Sequence, residues 1–353
     1  MECQSIQTRS KVGIVGIGFI GSDHLHRLTK TVANVDVTAV CDIVPGKAQK
    51  ALDQQGLTAT TYEDYHDLVN DPNVEVVVCT ANNEAHYEIV MAALKAGKFT
   101  FCEKPLALDA KQCMDIIDSE KKLGRRMLQV GFMRHYAPEY VQMKKMIDDG
   151  VIGKPLMMDQ RHYNQTQPEE YDSSRSIIET AIHEIDIDHW LVNDDYANIR
   201  VFSPKQTRHV QNAKIQDPQI VMIETKSGIN IINEVFVRCQ YGYDIKCDVI
   251  GEEGVLELPT VPQVATRLNA QYSTAILTDW KARFESAYDI EFRDFINHVS
   301  QNESPVGPSA WDGYIAAVTA DAALKSLAED GAKQDLDFPS TPAFYTESEK
   351  VSE

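Results

Sequence analysis

Short β-branched runs alternate with helical patterns through the first third of the chain. Lys11–Ile17 (KVGIVGI) reads as a buried strand. Val35–Cys41, Val74–Thr80, Phe99–Cys102 and Met127–Val130 follow as further strands, with a short one near Thr58–Thr60. The clearest helix between them is Ala85–Ala96. There Ile89, Val90, Ala93 and Leu94 form one apolar stripe, and Gly97 suits the position just past the end. The next helix is expected to start at Asp109 as N-cap, with Gln112 three residues on, and to stop at Gly124. Near-continuous apolar strands alternating with helices indicate a parallel sheet covered on both faces. The spacing therefore predicts a doubly wound α/β domain over about residues 10–131.

After Gly131 the period changes. Helices are expected over Pro138–Asp149 and about Ile177–Leu191, followed by long alternating strands. Gln219–Glu224 and Ile229–Val237 flank Lys226-Ser227-Gly228, and Tyr243–Ile250 and Val255–Leu258 flank Gly251–Gly254, two hairpin signals. This stretch predicts a C-terminal α/β domain on a large open, mostly antiparallel sheet over residues 132–331. Helices over Glu291–Val299 and Trp311–Leu327 close it. Residues 332–353 read as a polar, irregular tail.

Composition narrows the function. The 353 residues carry 34 basic and 53 acidic side chains, a formal charge of −19, which disfavours nucleic acid and an anionic membrane surface as partners. The seven cysteines (Cys3, Cys41, Cys79, Cys102, Cys113, Cys239, Cys247) form no C-x-x-C pair and no zinc spacing, so buried reduced thiols are expected and no metal is assigned. The MECQSIQTRS terminus has no apolar h-region, and no apolar run reaches membrane-spanning length. A cytoplasmic protein is the expectation.

Three motifs carry chemistry. Gly16-Ile17-Gly18-Phe19-Ile20-Gly21 closes the first strand and opens a helix, and Asp42 ends the second strand 21 residues after Gly21. That context is the dinucleotide fingerprint: a tight turn at Gly16, close approach of backbone N–H groups at Gly18, helix-to-strand packing at Gly21, and a helix N-terminus facing an anion. Asp42 suits the two adenosine ribose hydroxyls and repels a 2′-phosphate; Ile43-Val44 offers no arginine to bind one, so NAD is expected over NADP. Glu103-Lys104-Pro105 ends a strand at the carboxyl edge of the sheet, where ligands bind in open α/β folds. There Lys104 suits an alcohol oxygen gaining charge. Glu179 and His183, four apart on an expected helix, make a carboxylate–imidazole pair whose imidazole is a general base near neutral pH. His183-Glu184 with Asp186 also admits a metal-cluster reading, which is the weaker one.

Together GIVGIGFIGSDH, FCEKPLAL, GFMRHY, ETAIHEIDIDHWLVNDDY, QYGYDIKCDVIGEEG and WDGYIAAVTADAALKS resemble the Gfo/Idh/MocA oxidoreductases, and within them the inositol 2-dehydrogenase branch, over about residues 11–331. The resemblance implies NAD-dependent oxidation of a cyclic polyol, most specifically myo-inositol to scyllo-inosose, by a homotetramer. Scyllo-inositol or another sugar is the alternative substrate, and a non-catalytic NAD-binding sensor the alternative of a different class. It also implies roles by residue. Lys104 contacts substrate near the nicotinamide, and His183 is the base. Glu179 stands where the family has an aspartate. Arg134 lies near substrate and cofactor. His162 and Asn164, in the stretch His162-Tyr163-Asn164, with Tyr241 or Tyr243, line the substrate. Thr80-Ala81-Asn82-Asn83 and His86 pass the nicotinamide ribose, with Glu103 beside them.

Overall fold

The computed structural model describes residues 9–210 and 214–346, so Cys3 lies outside the described residues. The chain forms two compact units: Met1–Phe132 with Tyr288–Ala317 and Ser340–Glu353, and Met133–Ala287 with Val318–Pro339.

Unit 1 is built on six parallel strands: β1 (Ser10–Val15), β2 (Val35–Cys41), β3 (Thr60–Tyr62), β4 (Val76–Cys79), β5 (Phe99–Glu103) and β6 (Leu128–Gly131). Their order is β3-β2-β1-β4-β5-β6, the doubly wound order whose switch point lies between β1 and β4. Val76, Val77, Val78 and Cys79 are all buried, because helices cover both faces and no position is left for a polar residue. The helices are α1 (Phe19–Lys30), α2 (Lys47–Gln55), α3 (Tyr65–Asn70), α4 (Asn83–Lys95) and α5 (Ala110–Leu123). The α5 boundaries follow their caps. The Asp109 carboxylate accepts the Gln112 N–H, and Gly124 adopts φ +71°.

The later segments of unit 1 finish its core. Phe292 and Phe295 pack on Phe101 at ring centroids of 4.3 and 5.6 Å. The chain after Gly331, expected to be irregular, contains strand β15 (Gln334–Asp335) and helix α11 (Ala343–Thr346). Tyr345 explains the order of α11. Its hydroxyl donates to the buried Glu120 carboxylate at 2.8 Å, beside the Met127 and Leu128 N–H groups.

Unit 2 holds a seven-stranded sheet in the order β12-β11-β7-β10-β9-β8-β15. Its strands are β7 (Pro155–Tyr163), β8 (Tyr196–Phe202), β9 (Gln219–Thr225), β10 (Asn230–Phe236), β11 (Asp244–Gly251) and β12 (Val255–Glu257). The sheet is mixed: β7 and β10 run parallel, and the other neighbours are antiparallel. Alternation in β10 and β11 puts Ile231, Val235, Ile245, Cys247 and Val249 on the packed face. A separate hairpin, β13 (Ala265–Leu268) and β14 (Gln271–Thr274), is exposed throughout.

Helices α6 (Pro138–Asp148), α7 (Ser173–Arg175) and α8 (Ile182–Val192) also belong to unit 2. The regular helix expected from Ile177 is instead wound as a π-turn over Ser176–Ala181 before α8 begins. Helix α9 (Lys281–Ser300) starts ten residues before the expected Glu291, and α10 spans Ala310–Ala328. Of the described cysteines, Cys41, Cys79, Cys102, Cys113 and Cys247 are buried and none forms a disulfide.

Candidate active site

The candidate residues fall into two sets, one in each unit. In unit 1 the turn after β1 is closed by backbone and glycine. Gly16 has φ +95°, and a Cβ there would lie 2.5 Å from the Ala81 backbone; a Cβ on Gly21 would lie 2.0 Å from the Gly16 carbonyl oxygen. A Cβ on Gly18 would meet nothing within 4 Å. Gly16 and Gly21 are therefore required by the chain's own packing. Gly18 and the exposed Phe19 leave open space before the N-terminus of α1, whose first-turn N–H groups have no intrahelical acceptor. Ile20 is half-buried in that first turn. This cradle fits a pyrophosphate.

Asp42 is tied to the same turn. Its Oδ2 accepts the Ile17 N–H at 2.8 Å, its Oδ1 accepts the Val44 N–H at 3.0 Å, and the Lys47 ammonium lies 2.9 Å away. Burial works to raise its pKa, but Lys47 and the two N–H groups outweigh it and hold the carboxyl below the usual aspartate range. Ile43 beside it is exposed. Lys47 carried no motif and was not legible as part of the site. Thr80 Oγ1 donates to the Gly16 carbonyl at 2.6 Å, locking the turn. Ala81, Asn82 and Asn83 run from β4 into α4, with Asn82 as its N-cap.

Past β5, Lys104 is half-buried and precedes a cis Pro105. The neighbouring Glu103 is buried and held. Its Oε1 accepts from His24 Nε2 at 2.7 Å, and its Oε2 accepts the Lys104 N–H at 3.2 Å. Arg27 Nη1 donates to His24 Nδ1 at 2.7 Å, so the proton of His24 is on Nε2. His24 and Arg27 were not singled out by sequence; a histidine and an arginine in an amphipathic helix read as its solvated face. His86 is fully buried, its Nδ1 2.7 Å from the Pro105 carbonyl oxygen and its Nε2 3.1 Å from that of Ala81. It ties the two loops together. Cys79, Cys102 and His86 offer ligand atoms within 4.8 Å of one another, but both ring nitrogens of His86 already face carbonyl oxygens.

In unit 2, His183 is buried in the first turn of α8, its ring centroid 6.0 Å from that of His162 on β7. Tyr243 meets the His162 ring edge-on at 5.7 Å and is buried, whereas Tyr241 is exposed and bonds Asp244 at 2.5 Å. Of the two tyrosines, Tyr243 is therefore the one that joins the cluster. Asn164 follows β7, its N–H bonded to the Phe236 carbonyl at 2.9 Å. Arg134, in the turn Met133–Tyr136, is almost wholly buried; its Nη1 lies 2.5 Å from Glu184 Oε1. Glu184 in turn lies 2.9 Å from His162 Nδ1. Burial opposes both charges, but each holds the other ionised: Arg134 and His162 keep the Glu184 carboxyl below the usual glutamate range. Glu179, within the π-turn, accepts from Arg175 Nε at 2.8 Å. Sequence reasoning offered Glu184 only in the weaker metal-cluster reading with His183 and Asp186, and missed its place beside His162 because its partner Arg134 is fifty positions away.

Comparison with known proteins covers both units. The family model described as an oxidoreductase family with an NAD-binding Rossmann fold matches residues 10–132, and its companion, the C-terminal alpha/beta domain, matches residues 144–334. A Salmonella typhimurium protein named inositol 2-dehydrogenase is 56% identical over 335 residues, 95% of this chain and 99% of that protein. A Shouchella clausii protein named inositol 2-dehydrogenase/D-chiro-inositol 3-dehydrogenase is 45% identical over 343 residues, 97% of this chain and 99% of its own. The crystal structure of myo-inositol dehydrogenase from Lactobacillus casei, in complex with NAD(H) and myo-inositol, superposes with a TM-score of 0.93 at 40% identity, covering 96% of this chain and all of that one.

Proposed function

The chain belongs to the Gfo/Idh/MocA oxidoreductase family, and from that premise we propose that it is an NAD-dependent inositol 2-dehydrogenase, oxidising myo-inositol to scyllo-inosose. What carries the reading is that relatives named for inositol oxidation match over both units, not over the Rossmann unit alone. Unit 1, which contains residues 10–131, is the NAD-binding domain and unit 2, within residues 133–339, the substrate-binding and oligomerisation domain; Tyr288–Ala317 and the chain from Ser340, expected in the second domain and the tail, group with unit 1.

The turn Gly16, Gly18, Phe19, Ile20 and Gly21, with Asp42 and Ile43, holds the adenosine and pyrophosphate end of the cofactor. The segment Thr80–Asn83 with His86, Glu103 and Lys104 serves its nicotinamide end. Bound NAD supplies the hydride acceptor. The protein's own part is the proton and the developing charge. His183 takes the proton of the reacting hydroxyl, a step worth about 10²–10⁴-fold. Lys104 donates a hydrogen bond to the oxygen as it becomes an alkoxide. Glu179 assists His183, its charge shared with Arg175. Arg134, His162, Asn164 and Tyr243 bind the remaining hydroxyls. No metal takes part in this scheme.

The same reading makes the protein a homotetramer of the cytoplasm. No helix among the described residues is long and apolar enough to cross a membrane. The unit 2 sheet leaves Leu156, Met157 and Val255 exposed as material for subunit contacts. Steady-state NADH formation with myo-, scyllo- and D-chiro-inositol and glucose, each against NAD and NADP, tests the function. The highest kcat/KM is expected for myo-inositol with NAD; no NADH from any inositol would refute it.

A further inference from the structure

We propose that Glu184 is a positioning residue: its carboxylate fixes His162 with the proton on Nδ1, so that Nε2 is the ring's acceptor for a hydroxyl of the substrate. The proposal rests on the polyol reading above and adds to it a residue that no motif assigns. Glu184 lies on α8 directly after His183 yet is 0% exposed, so it is not a solvated helix charge. Its two oxygens lie 3.1 and 2.9 Å from His162 Nδ1. A carboxylate only accepts, which puts the hydrogen on Nδ1.

Arg134 Nη2 lies 3.2 Å from the same nitrogen and presents the competing arrangement, in which Nδ1 accepts from arginine. That arrangement would point the Nδ1 lone pair at a carboxylate oxygen 2.9 Å away in a site closed to water. Both bonds are charge-assisted, one by the guanidinium and one by the carboxylate; the bond to Glu184 is the shorter and leaves no lone pair facing an anion, so it wins. Arg134 then plays its part through the carboxylate: its Nη1 on Glu184 Oε1 at 2.5 Å keeps the buried acid ionised and hence a pure acceptor. Tyr243, edge-on to His162, fixes the plane of the ring.

The outcome is a division between two neighbouring imidazoles. His183 moves a proton. His162 is held in one tautomer, donating Nδ1–H to Glu184, and toward the substrate it only accepts a hydrogen bond. A cyclic polyol presents a hydroxyl on each carbon flanking the one oxidised, and an imidazole nitrogen committed to accepting binds such a group in one orientation.

Long-range ¹H–¹⁵N correlation on full-length protein labelled at histidine tests this directly, with His162 assigned by its loss in His162→Gln. The expected spectrum shows His162 protonated at Nδ1 and bare at Nε2; a proton on Nε2 would overturn the proposal. Glu184→Gln is expected to mix the tautomers and raise KM for myo-inositol about tenfold or more, with a smaller change in kcat, while NAD affinity stays within about twofold; Glu184→Asp should restore part of the loss. Wild-type KM in a folded Glu184→Gln enzyme would also overturn it. The wild-type tautomer decides the matter if that variant does not fold. Wild-type protein that makes no NADH from any inositol would instead sink the functional reading, whatever the tautomer.

Discussion

Each unit buries an Arg–His–Glu triplet among its described residues, and these two are wired in different senses. In unit 1 the arginine grips the histidine: Arg27 donates to His24 Nδ1, and Nε2 donates to Glu103, which holds the Lys104 N–H. The chain of bonds ends on backbone, and its product is the shape of a loop. In unit 2 the arginine grips the glutamate. Arg134 sits on Glu184, and Glu184 accepts the Nδ1–H of His162, whose ring stands beside His183. Here the chain of bonds ends on an imidazole. Both triplets set a histidine tautomer; what differs is that Arg27 contacts only the histidine of its triplet, whereas Arg134 also pairs with the glutamate and leaves the Nδ1 hydrogen to it.

Surroundings differ as well. Arg27 is shared between Asp23 and Asp289, both about a fifth exposed, so its partners can turn to water if it is lost. Arg134 and Glu184 are 1% and 0% exposed at their side chains. Desolvating two such ions costs several kcal/mol each, which their attraction offsets only while both are present. Arg134→Met is therefore expected to lower unfolding free energy by about 3–5 kcal/mol in denaturant titrations. Arg27→Met should cost clearly less. Equal losses would mean that burial does not separate the two triplets.

The glycines of unit 1 allow a finer test. In Gly21→Ala the new Cβ would lie 2.0 Å from the Gly16 carbonyl oxygen, so α1 must shift. A loss of about 1–3 kcal/mol is expected, along with weaker NAD binding. Gly18→Ala meets no protein atom within 4 Å. Its stability should stay within about 1 kcal/mol of wild type, with NAD affinity falling all the same. Thermal melts with calorimetric NAD titration distinguish the two. A Gly18→Ala protein with undiminished NAD affinity would remove the cofactor from that turn.

The smallest effect concerns pH. The Asp42 pKa is lower in the folded protein than in the unfolded chain, so its contribution to stability is present at neutral pH and is lost as pH falls through the folded value. Asp42→Asn should narrow the gap between melting temperatures at neutral and acid pH. An unchanged gap would mean that Lys47 and the two N–H groups do not hold the charge.

Much of unit 1 was legible because its signals are local. Strands buried on both faces read as apolar runs, so Val35–Cys41 falls where expected, and Asp109 caps α5 through a neighbour three residues away. What escaped depends on partners distant in sequence. Glu184 offers only a weak metal-cluster reading until Arg134 and His162 are placed beside it. The tail reads as irregular until Tyr345 finds Glu120, 225 positions away. The hairpin β13–β14 escaped because every strand position in it is exposed, leaving no apolar alternation. The Glu179–His183 pair was expected on a regular helix, whereas Glu179 lies in a π-turn with Arg175 on its carboxylate.

Oxidation as described needs the His183 imidazole to take a proton while NAD is held by groups of unit 1. NADH formation from myo-inositol by His183→Asn, measured alongside its NAD affinity, tests both halves together. The expected result is turnover lower by about 10²–10⁴-fold with NAD binding within twofold of wild type. Turnover equal to wild type would contradict the account.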